Sequence, residues 1–192
     1  MGTAPPAGTT GLTYEDLLAL PDAGSTRYEL LDGELLVTPA PTTRHQESVL
    51  RIAAALLGYV RRAGGRVLPG PVDVYFSEGT VFEPDVVALR GDRLDRVEDR
   101  RVVGAPDLVV EVSSPSTRRT DLVRKRRVYE REGVPEFWFV DLDADQVHVY
   151  RLGPDGVYGS PSVALPDDEV TSHVLDGFVI AAEDALALDS HG

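Results

Sequence analysis

The run GAPDLVVEVSS at residues 104–114 limits what this chain can fold into more than any other stretch. It is apolar on both alternating faces, the signature of a strand covered on both sides near the centre of a sheet. One charged residue, Glu111, sits inside it. A lone carboxylate in a buried strand costs several kcal/mol unless it is paired or bound to a cation. A second acid is similarly out of place: Asp85 follows Pro84 at the head of PDVVAL. Two such acids on neighbouring strands satisfy each other by sharing a hard cation such as Mg²⁺, which takes oxygen ligands and keeps several waters. That arrangement supports metal-assisted hydrolysis, in which the cation polarises a phosphoryl oxygen and acidifies a water. Each acid also has an ordinary alternative. Asp85 can cap a turn or pair with an arginine, and Glu111 can face solvent or form a salt bridge.

The remaining pattern is mixed. TYEDLLAL begins with Thr13 and carries Asp16 three residues on, a capping box before a short helix that ends at Pro21. Two apolar runs flank Asp32-Gly33 in RYELLDGELLVTPAP, which predicts a tight hairpin. Val49, Ile52, Ala53, Leu56, Leu57 and Val60 have helical spacing between about Thr43 and Ala63, and Gly64-Gly65 ends that helix. VDVYFSEGTVFEPDVVALR reads as two strands around Glu78-Gly79. TRRTDLVRKRRVYEREG returns to helical spacing, with Leu122, Val123 and Tyr129 expected inside. VPEFWFVDLD and QVHVYRL are two more strands. The fold class is therefore α/β (mixed α+β), a mixed sheet with helical cover. Residues 1–11 read as a flexible tail and 12–188 as a single domain.

Eighteen of the nineteen basic residues are arginine, and Lys125 is the one lysine. Such a bias also arises from nucleotide composition, but an ammonium is a compact point charge unlike a guanidinium. Asp121, Lys125 and Tyr129 are spaced i, i+4, i+8, so they share a helix face. That helix follows the Glu111 strand, and packing back across its end returns Lys125 to the two acids. A lysine there holds or deprotonates an attacking water and offsets developing charge.

The net charge is −13, which argues against a polyanionic partner for the chain as a whole. Its distribution is uneven. Residues 90–131 hold 12 basic and 8 acidic side chains, whereas residues 133–192 hold 12 acids and one base, Arg151. The middle of the chain is where a polyanion can dock, and a solvated helix face is the ordinary alternative. Absence of cysteine excludes disulfides, thiolate metal sites and a cysteine nucleophile. No apolar run is long enough to span a bilayer, and the first residues do not read as a signal peptide, so the expected location is cytoplasmic. No glycine pattern implies ATP or NAD, so no nucleotide cofactor is expected.

The order PD, then an E-V strand, then a lysine is the outline of the PD-(D/E)xK nuclease superfamily. More specifically, YELLDGEL at 28–35, His45, EPDVVAL at 83–89, APDLVVEVSSPST at 105–117 and DLVRKRRVYEREGVPEFWFVD at 121–141 resemble the Uma2 family of restriction-endonuclease-like proteins. The resemblance implies a restriction-endonuclease-like core with a mixed sheet flanked by helices. It also implies Mg²⁺- or Mn²⁺-dependent hydrolysis of phosphodiester bonds in DNA, and a homodimer. It makes Asp85 and Glu111 the metal ligands. Where the superfamily motif has its lysine, this chain has Ser113, and Lys125 on the following helix takes that role. Glu29 becomes an additional acid, its alternative being an outward-facing hairpin residue. His45 matches a family position, its alternative being a capping or surface residue. Asp121 and Tyr129 support Lys125 or helix packing, while Ser113, Ser114 and Thr117 are expected to cap the helix rather than act as nucleophiles, since no histidine is positioned as their base. Arg118, Arg119, Arg124, Arg126 and Arg127 are candidates for phosphate contacts. Two other readings stay open: a catalytically inactive nuclease-fold module that binds nucleic acid or a protein partner, and hydrolysis of another phosphate ester.

Overall fold

The computed structural model describes residues 4–21, 24, 26–113 and 118–188. Ser114 and Thr117, expected to cap a helix, lie outside them. The chain opens with α1 (Tyr14–Leu18), whose Thr13 and Asp16 form the expected capping box. β1 (Arg27–Leu31) and β2 (Glu34–Thr38) pair antiparallel around Asp32-Gly33. Both turn residues have positive φ, 50° and 82°, as a hairpin turn matched to strand twist requires. Residues 8, 9 and 12 hydrogen-bond to β2 and its turn, through Gly8 and Thr9 to Leu35 and Leu12 to Gly33.

The long helix is α2 (Thr43–Arg62), capped by the Thr42 side chain. It is followed by β3 (Arg66–Pro69), β4 (Asp73–Ser77), β5 (Thr80–Phe82) and β6 (Val86–Leu89). The stretch expected as two strands around Glu78-Gly79 is thus three. Pro84 has no N–H for a ladder, and the chain leaves one sheet at β5 and enters another at β6. β3 was not legible from periodicity. Neither was β7 (Arg101–Val103), which follows a 3₁₀ turn at Gly91–Arg96. Next come β8 (Leu108–Val112), a π-helical turn at Thr120–Lys125 that continues as α3 (Arg126–Arg131), β9 (Glu136–Asp141) and β10 (Gln146–Arg151). The chain ends in β11 (Ser162–Ala164), β12 (Glu169–Thr171), β13 (Val179–Ala181) and α4 (Ala182–Ala185).

Two larger sheets organise these strands. One has the order β2-β1-β5-β4-β7, the other β11-β10-β9-β8-β6-β3, and β12 and β13 form a separate pair. In the six-stranded sheet β8 runs parallel to β9 and antiparallel to β6. Every residue of β8 and of β9 is buried, as the two-sided apolar run demanded. Side chains alternate between two cores. Val86, Ala88, Leu108, Val110 and Trp138 pack against α2, α4 and the C-terminal hairpin. Val87, Leu89, Val109, Phe137 and Phe139 pack with Phe82, Val128 and Tyr129 on the opposite face.

The helix after β8 corrects one expectation. Its inner face carries Asp121, Lys125, Val128 and Tyr129, while Leu122 is half-buried and Val123 is 38% exposed. The wider π turn changes the angular step per residue, so 3.6-residue spacing does not place Val123 on the inside.

Candidate active site

Parity along the strands determines which side chains meet. Glu111 shares a face with Val109, so it points into the second core and away from α2. Asp85 lies two residues before Val87 and shares that face. The β6–β8 register pairs Val86 with Val110, and one further step sets Asp85 across from Glu111. Glu29 stands two residues before Leu31, which belongs to the same core. The helix after β8 then lays Asp121, Lys125 and Tyr129 over this cluster.

The ammonium of Lys125 is 2.7 Å from Glu29 Oε1, 3.1 Å from Glu111 Oε1 and 3.5 Å from Asp121 Oδ1. The Tyr129 hydroxyl donates to Glu111 Oε1. Asp85 accepts three donors: Arg27 at 2.8 Å on Oδ1, with the Val112 N–H at 2.8 Å and His45 Nε2 at 3.2 Å on Oδ2. The Glu83 N–H donates to Glu29 Oε1 at 2.8 Å. Glu29, His45, Asp85, Glu111, Asp121 and Lys125 are all only 3–4% exposed. They nevertheless line an open-mouthed recess rimmed by Pro39 and Pro41.

The electrostatics follow from crowding. Four buried carboxyl groups (Glu29, Asp85, Glu111, Asp121) face two permanent cations, Arg27 and Lys125. Burial pushes the Glu111 carboxyl well above its usual range; Lys125 opposes this, while Asp121, Glu29 and Asp85 add to it. Burial would lower Lys125, but Glu111, Glu29 and Asp121 outweigh it and hold the ammonium firmly protonated. Burial would also raise Asp85, but His45, Arg27 and the Val112 N–H keep it below the usual carboxylate range. Just outside the cluster, burial together with Asp73 and Glu29 pushes Glu83 up to about 7.

The donor set fits a hard divalent cation. Among the described residues Oδ1 of Asp85 accepts only from Arg27, and a carboxylate oxygen has room for a second partner. Oε2 of Glu111 and of Glu29 takes no hydrogen bond among the described residues. A divalent ion would offset the surplus of carboxylates over cations and favour the ionised form of Glu111. Among the described residues no three acid or histidine side chains form a ready-made ligand cage. A cation there would keep waters in its shell, as Mg²⁺ ordinarily does.

The five arginines expected to meet phosphate lie elsewhere. Arg118 donates to Asp141, Arg124 to Glu34, and Arg126 stacks on Tyr150. Arg119 and Arg127 are exposed, without an ion pair among the described residues. None of the five lines the recess. Ser113 is buried and its Oγ accepts the Leu142 N–H, a structural role. Sequence reasoning missed Arg27 and the Val112 N–H. Arg27 carried a signal, because it stands two residues before Glu29 on the same strand face.

These contacts run through the same segments that carried the sequence resemblance. The fold is similar to that of a crystal structure from Anabaena variabilis described as "a putative nuclease belonging to DUF820", with a TM-score of 0.75 and 21% identity over 92% of this chain and 98% of that one. No curated protein matches the chain. Residues 14–183 match the Uma2 family, whose description is "Putative restriction endonuclease". That match spans nearly all of the folded core, strands and site residues included, and the chain belongs to the Uma2 family.

Proposed function

We propose that this protein is a divalent-cation-dependent endonuclease that hydrolyses phosphodiester bonds in DNA, with Asp85 and Glu111 holding Mg²⁺ or Mn²⁺. The observation that supports it most is the convergence of Lys125 on Glu29 and Glu111 in the recess that also holds Asp85. A cation bound by these acids would polarise a phosphoryl oxygen and lower the pKa of a water.

The protein's own groups do the rest. The Lys125 ammonium, held by three carboxylates, keeps its proton and works as a donor, offsetting charge that develops on phosphoryl oxygens. Glu29 and Asp121 aim it. Tyr129 fixes Glu111 through Oε1, leaving Oε2 to face a ligand. Arg27, His45 and the Val112 N–H clamp Asp85. A homodimer suits the two strands of a duplex, because each copy supplies one site.

The net charge of −13 favours a second reading, a nuclease-fold module that binds nucleic acid or a protein without turnover. One experiment separates the two. Purified protein is incubated with duplex, single-stranded and small phosphate-ester substrates, with Mg²⁺, Mn²⁺ or chelator. We expect cation-dependent DNA cleavage that is lost in Glu111→Gln and Asp85→Asn while circular dichroism stays native. Cleavage that survives both substitutions rejects the site. Salt-sensitive DNA binding without any cleavage supports the module.

A further inference from the structure

The outward face of α2 carries an apolar centre between charged ends, although nothing among the described residues covers it. Glu47, Leu50, Ala54, Leu57 and Arg61 follow a 3-4-3-4 spacing, which keeps them on one side of the helix. Leu50 is 68% exposed and Leu57 49%, and Ala54 and Arg61 are exposed too. Single exposed leucines are ordinary on a protein surface. Here they repeat along a 20-residue helix whose other face, through Val49, Ile52, Leu56 and Val60, already serves the core.

Gly58 adds an independent observation. It lies inside the helix beside Leu57, where glycine costs about 0.5–1 kcal/mol relative to alanine. Nothing within the fold asks for it: a Cβ there would meet only the tip of the Arg62 side chain, at 4.0 Å. A glycine on an exposed helix face leaves room for a side chain that approaches from outside.

We infer that this face binds a second copy of the same chain, with the two α2 helices nearly antiparallel about a twofold axis at Ala54. Charge selects this occupant. Glu47 lies seven residues before Ala54 and Arg61 seven after it, so the twofold brings Glu47 of each copy against Arg61 of the other. Glu47 also pairs with Arg51 in its own helix, and Arg61 has no ion pair among the described residues. Leu50 of each copy then seats over Gly58 of the other. One helix pair buries less than a standard interface, so association is weak and reversible. This inference gives the homodimer reading a surface and does not depend on the site being catalytic.

The test measures mass by sedimentation across a hundredfold range of protein concentration. We expect the wild type to shift from monomer towards dimer, and Leu50→Glu with Leu57→Glu to stay monomeric with unchanged circular dichroism and melting. The chain has no cysteine, so Ala54→Cys reports the axis by itself. A short bismaleimide should link two copies of that variant, and fail when the two glutamates are also present. A wild type that stays monomeric throughout overturns both the interface and the homodimer. A dimer that survives the two glutamates overturns the interface alone.

Discussion

Lys125 Nζ lies 2.7 Å from Glu29 Oε1 although 96 residues separate them in the chain. This contact ties the first hairpin to the helix after β8. It also keeps the acids together. Replacing Lys125 by Met removes the cation and keeps the bulk, leaving buried carboxylates uncompensated. The expected cost is about 3–5 kcal/mol, the usual result of breaking a buried pair from one side. Urea unfolding at neutral pH measures it. Adding Glu111→Gln to Lys125→Met should recover part of the loss, and strict additivity of the two would show that the residues are not coupled.

Tyr129→Phe tests a smaller link. It removes only the hydroxyl that donates to Glu111 in a fully buried position. Lys125 still donates to the same oxygen, so losing this one hydrogen bond should cost about 0.5–1.5 kcal/mol. An unchanged melting temperature would mean that the hydroxyl does not hold Glu111.

Cation binding is measurable without any substrate. A ligand that binds the folded state alone adds about 2.7 kcal/mol of stability at a hundred times its Kd. Mn²⁺ or Mg²⁺ should therefore raise the melting temperature of the wild type and leave Asp85→Asn unmoved. Equal shifts in both would put the ion elsewhere on the acidic surface.

Arg118 and Asp141 predict a pH dependence away from the site. Burial alone would raise Asp141, but two donors from Arg118 and the Ala144 N–H hold it below its ordinary 3.8. A carboxyl depressed in the folded state contributes stability above its unfolded value, lost as pH falls through the folded one. Arg118→Gln should thus destabilise the protein at neutral pH, and the gap from wild type should close in acid. A gap that persists below the depressed value would mean that the ion pair is not its source.

Two glycines should respond to alanine with opposite signs. A Cβ on Gly65 would sit 2.3 Å from the Leu89 carbonyl oxygen and 2.7 Å from Val60 Cγ1. Gly65→Ala should cost about 1–3 kcal/mol through overpacking between α2 and β6. Gly58→Ala meets only the tip of the Arg62 side chain, at 4.0 Å, and should stabilise the monomer by about 0.4–1 kcal/mol. Urea titrations of both variants at a low protein concentration decide the matter.

Much of this protein was legible before folding was considered. The two-sided apolar run of β8, the Asp32-Gly33 hairpin, the capping box at Thr13 and the periodicity of α2 each depend on neighbours within a few residues. Local sterics and hydrogen bonding suffice for them. The misplaced acids Asp85 and Glu111 stood out for the same reason, since charge in an apolar strand violates a local rule. β3 and β7 were illegible because short partly buried strands exist only through their pairing partners, β6 and β4. Val123 turned outward because a π turn replaced the expected α turn.

What the sequence determined alone was therefore the inventory: which segments are strands or helices, which acids need a partner, and that Lys125 is the one ammonium available to them. Tertiary structure decided the pairing. Strand parity and the β6–β8 register put Asp85 and Glu111 on one face, and only packing of the hairpin and helix brought Glu29, Arg27 and His45 within hydrogen-bond reach. The physical reason is range: backbone preference acts over a few residues, whereas these ion pairs join segments brought together by burial of a shared core.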